Sequence, residues 1–267
     1  MTSNPPLPLV LGSLPSEKER ARITGALRGW ARTHWVDTPA ELPGTLKHAR
    51  GGTVTIVLSP RDHDGRETVG VVPDLLGGAP CVAIVAHCRT GVEHAADIRR
   101  MAEAGVHEFL FAGVDDNGVA LRGVLASAQR ACAAVAVLGT LLPVLPAELH
   151  RLAEYCVTHP TQARSVAGVA ATLGVHRKTL LNHCVRAGAP PPAELINWCR
   201  LMVAAQLLTA TGQTVEWVAL ELEFPSDTAL RNSMKRYTGL RATDVRRQGG
   251  VRVVVQAFQR RLNGAAR

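Results

Sequence analysis

Two periodicities divide this chain. As far as residue 130, short apolar runs alternate with helical patterns. Beyond it the pattern is helical almost to the end. The runs Leu7–Leu11, Thr53–Leu58, Val82–Ala86 and Glu108–Ala112 are apolar enough for parallel strands buried on both faces, and Thr33–Val36 is a weaker fifth. Between them Glu17–Trp30, Ala40–Ala49, roughly Glu67–Leu76, Val92–Ala104 and Val119–Ala131 read as helices. Ala95, Ile98, Met101 and Ala102 recur on one helical face. Five β-α units of this size predict an α/β doubly wound, five-stranded parallel sheet over residues 1–133.

The C-terminal pattern is all-α and contains one design written twice. Ser165 caps a helix whose Val166, Val169 and Ala170 face inward, Gly174 permits a sharp corner, and Val175 plugs it. A second helix then starts at His176, with Leu180 and Leu181 as expected anchors. Further on, Thr214 caps a helix with Val215, Val218, Ala219 and Leu222 inward. Glu223-Phe224 makes the corner, and Ser226 caps the helix Asp227–Tyr237. A long helix, Ala193–Leu208, joins the two motifs after Pro190-Pro-Pro192, and its broad apolar face suits burial between them; Gly212 breaks it. Each motif is a helix-turn-helix, whose second helix fits the DNA major groove.

The candidate DNA-binding side chains are the polar groups of those second helices. On the first they are His176, Arg177, Lys178, Thr179, Asn182, His183 and Arg186. On the second they are Ser226, Asp227, Thr228, Arg231, Asn232, Lys235 and Arg236. Trp198 and Trp217 read as core residues rather than base-stacking groups. Val251–Leu262 mixes strand propensity with an amphipathic helical pattern, and the sequence does not choose between them.

Residues 148–247 resemble the DNA-binding domain of AraC-type transcription regulators. The strings that carry the resemblance are Val169-Ala170, Leu173-Gly174-Val175, Leu180, Gly188, Arg200-Leu201-x-x-Ala204-x-x-Leu207-Leu208, Val218-Ala219, Phe224, Lys235-Arg236, Gly239 and Arg246. The resemblance implies that the helices from His176 and Ser226 enter successive major grooves, roughly 34 Å apart. Glu223, Leu230, Met234, Ala242 and Asn182 depart from the family pattern, as does one extra residue around Pro190-Pro-Pro192.

Residues 6–133 resemble the response-regulator receiver domain in layout, but not in motifs. Receivers hold Mg²⁺ with an acidic pair after the first strand, where this chain has Gly12-Ser-Leu-Pro15. They accept phosphate on an Asp after the third strand, where it has Ser59-Pro60. The positions after strands four and five carry Ala86-His87 and Ala112. The expectation is a pseudo-receiver with no metal, no cofactor and no acyl-phosphate chemistry. Asp62 and Asp64 offer a displaced metal site only weakly. His87-Cys88 could suggest a nucleophile, but neighbours on a strand face opposite ways, so no catalytic residues are assigned. Asp115-Asp116-Asn-Gly118 reads as a turn into a helix.

Charge sharpens this division. Residues 1–147 carry 14 basic and 14 acidic side chains, and residues 148–267 carry 16 and 8, so the whole formal +8 belongs to the helical part. A polyanion is the expected partner there. The six cysteines, at 81, 88, 132, 156, 184 and 199, form no Cys-x-x-Cys pair and read as buried reduced thiols. Met1-Thr-Ser-Asn-Pro-Pro is not a signal peptide, and no uninterrupted apolar run approaches 18 residues. The expectation is a soluble cytoplasmic protein, nucleoid-associated when bound, with no membrane partner.

The domain reading is 1–133 receiver-like, 134–147 an apolar helix extension or linker, 148–250 the double helix-turn-helix, and 251–267 an extension. Ala131–Pro146 is too apolar for a free linker and predicts either a covered helix or a homodimer interface. The functional expectation is a sequence-specific regulator that binds double-stranded DNA as a homodimer, with RNA polymerase or another regulatory protein as a further partner. The competing class is an adaptor that uses the same bundle to bind protein.

Overall fold

The computed structural model describes residues 7–49, 54–78, 82–115, 117–210 and 213–265. Met1–Pro6, Thr53, Cys81, Asp116 and Gly212, all named above, lie outside the described residues, as do positions 266 and 267. The chain divides into two compact units, the first built on residues up to Cys132 and the second from Ala133 onward.

The first unit is a five-stranded parallel sheet of β1 (Leu9–Ser13), β2 (Arg32–Trp35), β3 (Val54–Leu58), β4 (Val82–Cys88) and β5 (Glu108–Phe111). Their order is β2-β1-β3-β4-β5. Helices α1 (Glu17–Ala26), α2 (Leu42–His48), α3 (Val72–Gly78), α4 (Ala95–Glu103) and α5 (Gly118–Leu141) alternate with the strands. Successive strand residues point to opposite faces, and the packing follows this rule. Leu11, Ile56 and Ile84 enter one core. Their neighbours Val10, Val57 and Val85 enter the other. All described residues of β3 and β4 are buried, which is why these strands read as unbroken apolar runs. Gly12 is needed in β1 for space: a Cβ there would fall 2.3 Å from the Trp35 ring.

Helix α5 passes the end expected at Ala131 and continues to Leu141. By length and composition alone it could cross a membrane. Its apolar side is taken up within the chain: Leu121, Leu125 and Ala128 belong to the core of the first unit, and Val137 and Leu141 to that of the second. Through Ala131–Leu141 the helix buries Cys132, Ala133, Ala134, Val137 and Leu141 and leaves Val135 68% exposed.

The second unit is all-α: α6 (His150–Thr158), α7 (Val166–Thr172), α8 (Arg177–Arg186), α9 (Pro192–Ala210), α10 (Val215–Glu221), α11 (Asp227–Thr238), α12 (Ala242–Arg247) and α13 (Val251–Ala265). Thirteen side chains of α9 are buried, as befits a helix covered on all sides. The undecided segment Val251–Leu262 is helical. Its Val251, Val254, Val255 and Phe258 fall at i, i+3, i+4 and i+7 and pack into the bundle.

Candidate nucleic-acid interface

The two helix-corner-helix motifs share one backbone plan. Ser165 Oγ accepts from Gly168 N at 3.1 Å to cap α7, and Thr214 Oγ1 accepts from Trp217 N at 3.1 Å to cap α10. At the first corner Gly174 N donates to Ala171 O and Val175 N to Ala170 O. At the second, Glu223 N donates to Leu220 O and Phe224 N to Ala219 O, residue for residue the same pattern. Gly174 takes φ 66° and Glu223 takes φ 52°, the single non-glycine residue in the left-handed region among those described. The turn is therefore unmodified, and Glu223 holds the strained left-handed backbone that glycine holds at the first corner. Its carboxylate is ion-paired with Arg164.

These two corners predict opposite mutational signs. An added Cβ at Gly174 meets nothing within 4 Å, so Gly174→Ala should destabilise through φ alone, by about 1 kcal/mol. Glu223→Gly removes the same strain and loses only an exposed ion pair, itself worth roughly 0–1 kcal/mol. It should be neutral or stabilising by up to about 1 kcal/mol in urea unfolding. A loss above about 0.5 kcal/mol would show that the Arg164 pair outweighs the backbone term.

Arg200 of α9 ties the long helix to the second corner. Its Nη2 donates to Leu222 O at 2.9 Å and its guanidinium lies 4.4 Å from the centre of the Phe224 ring. Burial, and then the nearby Arg164, lower its pKa. Trp198, also on α9, is fully buried. It meets Tyr237 of α11 edge-on at 5.0 Å and Phe258 of α13 at 5.4 Å. Glu194 accepts from the Trp198 indole at 3.4 Å and pairs with Arg261 at 2.9 Å. Helix α11 is thus set against α9 by aromatic contacts. Trp217 packs half-buried against the same core, so both tryptophans are structural, as expected.

Each second helix has one buried edge and one exposed one. On α8, Leu180 and Cys184 are buried. His176 is the N-cap, its Nδ1 accepting from Lys178 N at 3.2 Å. Arg177, Lys178, Asn182 and Arg186 are exposed, while Thr179 and His183 are half-buried. Arg186 lies 3.7 Å from Glu148. The expectation that Leu181 anchors this helix is corrected: Leu181 is 45% exposed and Val185 69%.

On α11, Leu230, Met234 and Thr238 are buried. Ser226 Oγ accepts from Ala229 N at 3.0 Å as the cap. Thr228, Arg231, Asn232, Lys235 and Arg236 are exposed. Asp227 accepts from Arg231 Nε at 3.2 Å, and that hydrogen bond holds its carboxyl below the usual range. Asp227 therefore orients a guanidinium rather than adding a free negative charge. Arg231, Asn232 and Lys235 share a surface hollow of about 320 Å³ with Arg241 and Thr243. Sequence reasoning missed Arg241; its signal was a basic residue directly ahead of the short helix α12.

The strand ends of the first unit surround polar and ionisable side chains. A cavity of about 210 Å³ there is lined by Glu19, Ser59, Arg61, His87, Cys88 and Asp97, among others. Arg61 forks onto Asp97 at 2.8 and 2.9 Å, which raises the Arg61 pKa. His87 is buried, with Nδ1 3.9 Å from Glu19. Burial, and then Asp97, push the Cys88 thiol up to about 12. A nucleophile needs the thiolate, so the His87-Cys88 reading gains no support. Asp62 and Asp64 lie close to His63. However, Asp62 Oδ1 accepts from Asp64 N and Arg66 N, and Asp64 pairs with Arg66 at 2.8 Å. The described cysteines 88, 132, 156, 184 and 199 are buried, with no disulfide among them.

Acetyl phosphate with Mg²⁺ is expected to leave the protein's intact mass unchanged. Ser59 lacks the carboxylate charge and the partner acids that gather Mg²⁺ around a phosphoryl group. A gain of one phosphoryl group, lost on Asp62→Asn or Asp64→Asn, would show an acidic site displaced along the loop.

A family model described as "Helix-turn-helix domain" matches residues 169–248, under a third of the chain. No curated protein matches. Similar solved structures include full-length FixJ from B. japonicum, at 14% identity and TM-score 0.38, covering 80% of this chain and 97% of that one. The response regulator StyR is 17% identical with TM-score 0.32, over 71% and 96% of the two chains. RcsB from Salmonella enterica serovar Typhimurium, bound to promoter rprA, is 13% identical with TM-score 0.35, over 71% and 98%. The fold itself is a five-stranded parallel α/β sheet followed by an all-α unit, and the helix-turn-helix model falls within that second unit.

The AraC-type membership expected from the sequence is corrected by these findings. The neighbours are response regulators, and the matching model is described by its helix-turn-helix alone. The strings that suggested the family have local packing roles. Gly174 turns a corner, Ala204 is fully buried, and Arg200 binds a helix end. They report the needs of two helix-turn-helix motifs joined by a buried helix.

Proposed function

We propose that this protein is a sequence-specific, double-stranded DNA-binding transcription regulator that reads successive major grooves with α8 and α11. The observation that carries this reading is the duplicated corner. Two motifs with the same hydrogen bonds each present an exposed polar edge, on the part of the chain that holds the entire net positive charge. The proposed contacts are the exposed and half-buried polar groups of His176–Arg186 and Ser226–Arg236 named above, Asp227 acting through Arg231.

In this reading residues 1–133 are a pseudo-receiver used for pairing or for sensing without phosphorylation, 134–147 are a helix extension and linker, and 148–250 bind DNA. The extension 251–267 supports the bundle through Phe258. A homodimer is the proposed assembly, symmetric pairs being the commonest soluble oligomers. RNA polymerase or another regulatory protein is the proposed further partner. Selection of bound duplexes from a random library with the full chain tests the reading. It should enrich sites with two short elements about one helical turn apart. Failure to enrich any sequence would favour the protein-binding adaptor.

A further inference from the structure

Counted from their caps, His176 and Ser226, the exposed stripes of the two reading helices correspond position by position. On α8 the stripe is Lys178, Leu181, Asn182 and Val185, at i, i+3, i+4 and i+7. On α11 it is Thr228, Arg231, Asn232 and Lys235. The asparagine is common to both. Where α11 has Arg231 and Lys235, α8 has Leu181 and Val185, and these two are exposed at 45% and 69%. Neither belongs to the hydrophobic core or to the partly buried residues packed on it.

Resting on the DNA-reading role just proposed, we infer that α8 is a reader of thymine methyl groups. Leu181 and Val185 would make apolar contacts to C5-methyls in the major groove, while Asn182 reads an adjacent adenine. The major-groove edge of thymine is the one base edge that offers a methyl group, and apolar side chains are its natural complement. The amide of Asn182 suits the N6/N7 edge of adenine. An A·T-rich element follows for α8. The Arg231 and Lys235 of α11 favour guanine or phosphate instead. The occupant argued here is DNA because the apolar pair is continuous with Lys178 and Asn182 and lies one turn from Arg177, all on one exposed face. A face built for protein alone would have no need of that basic, amide-bearing frame.

The two elements of the bound site therefore differ chemically, even though the helices that read them are structural copies. Each methyl buried against Leu181 or Val185 contributes roughly fourfold in affinity, the scale of one buried methylene. Substituting alanine at both positions removes the contact without disturbing a core.

The test uses the full chain and one duplex enriched from the random library, remade with deoxyuridine in place of each thymine in turn. Uracil differs from thymine only in lacking the methyl. Affinity should fall about fourfold at one or two thymines confined to one of the two elements. The double variant Leu181→Ala/Val185→Ala should bind the parent duplex and its uracil forms equally. It should also match the parent protein on a duplex in which every sensitive thymine is replaced by uracil, which shows it folded. Uracil insensitivity of the parent protein on an enriched duplex would overturn the inference and leave DNA reading intact. Undiminished uracil sensitivity in the double variant would also overturn it, and would free this face for a protein partner. If no duplex is enriched, the DNA-reading role fails first and the inference falls with it.

Discussion

Trp198→Ala is expected to lower the stability of the helical unit by about 3–5 kcal/mol, the range for deleting a large buried aromatic. The indole is 2% exposed and stands between Tyr237 and Phe258. Its removal opens a cavity where α9, α11 and α13 meet. Domains of this size have net stabilities of about 5–15 kcal/mol, so the loss is a large fraction of the total. Urea unfolding followed by far-ultraviolet circular dichroism measures it, with Trp198→Phe as the milder comparison. The alanine variant should also bind DNA more weakly, because Tyr237 belongs to the second reading helix. A loss below about 1 kcal/mol would mean that the bundle is not built around this residue.

Reversing Arg177 and Arg231 should have the largest effect on binding. Each is an exposed guanidinium on a proposed reading helix. Loss of one such contact is worth about 1–3 kcal/mol, or roughly 5- to 150-fold in affinity. The double variant Arg177→Glu/Arg231→Glu, which also adds like-charge repulsion toward phosphates, should fall below sequence-specific detection in a mobility-shift assay. Arg28→Glu makes the same change of charge on an exposed residue of the first unit and should leave affinity unchanged. Equal losses from Arg28→Glu and Arg231→Glu would reduce the effect to net charge.

How much of this was legible in the sequence depended on whether one residue could satisfy two readings. Strands β3 and β4 were plain because burial on both faces leaves runs that are apolar except for Thr55 and His87. Helix α5 was cut short at Ala131 because an Ala-, Val- and Leu-rich continuation carries no stop signal, and the structure runs it to Leu141. The helix expected over Glu67–Leu76 begins later, after Glu67 bridges back to Arg61 and a short 3₁₀ turn intervenes at Val69–Val71. Val251–Leu262 stayed ambiguous because its valines favour strands locally, and packing of Val251, Val254, Val255 and Phe258 into the bundle selects the helix.

The polar candidates on α8 and α11 were legible from helical spacing, since caps and corners set the phase of each helix. Leu181 was misplaced because two adjacent leucines look alike in sequence, whereas a helix turns them about 100° apart. One enters the core and the other faces out. The AraC-like strings misled differently. A glycine at a corner, a small residue at a helix crossing and a buried arginine on a helix end are what the geometry requires, whatever the lineage.

The most direct test of DNA reading by both helices is a competition mobility shift. The full chain is bound to its selected duplex and challenged with duplexes in which one element, the other, or both are scrambled. The account predicts that scrambling either element alone weakens binding at least roughly tenfold, and that scrambling both leaves only the salt-sensitive non-specific level. Equal competition by the unscrambled duplex and all three scrambled ones would contradict it.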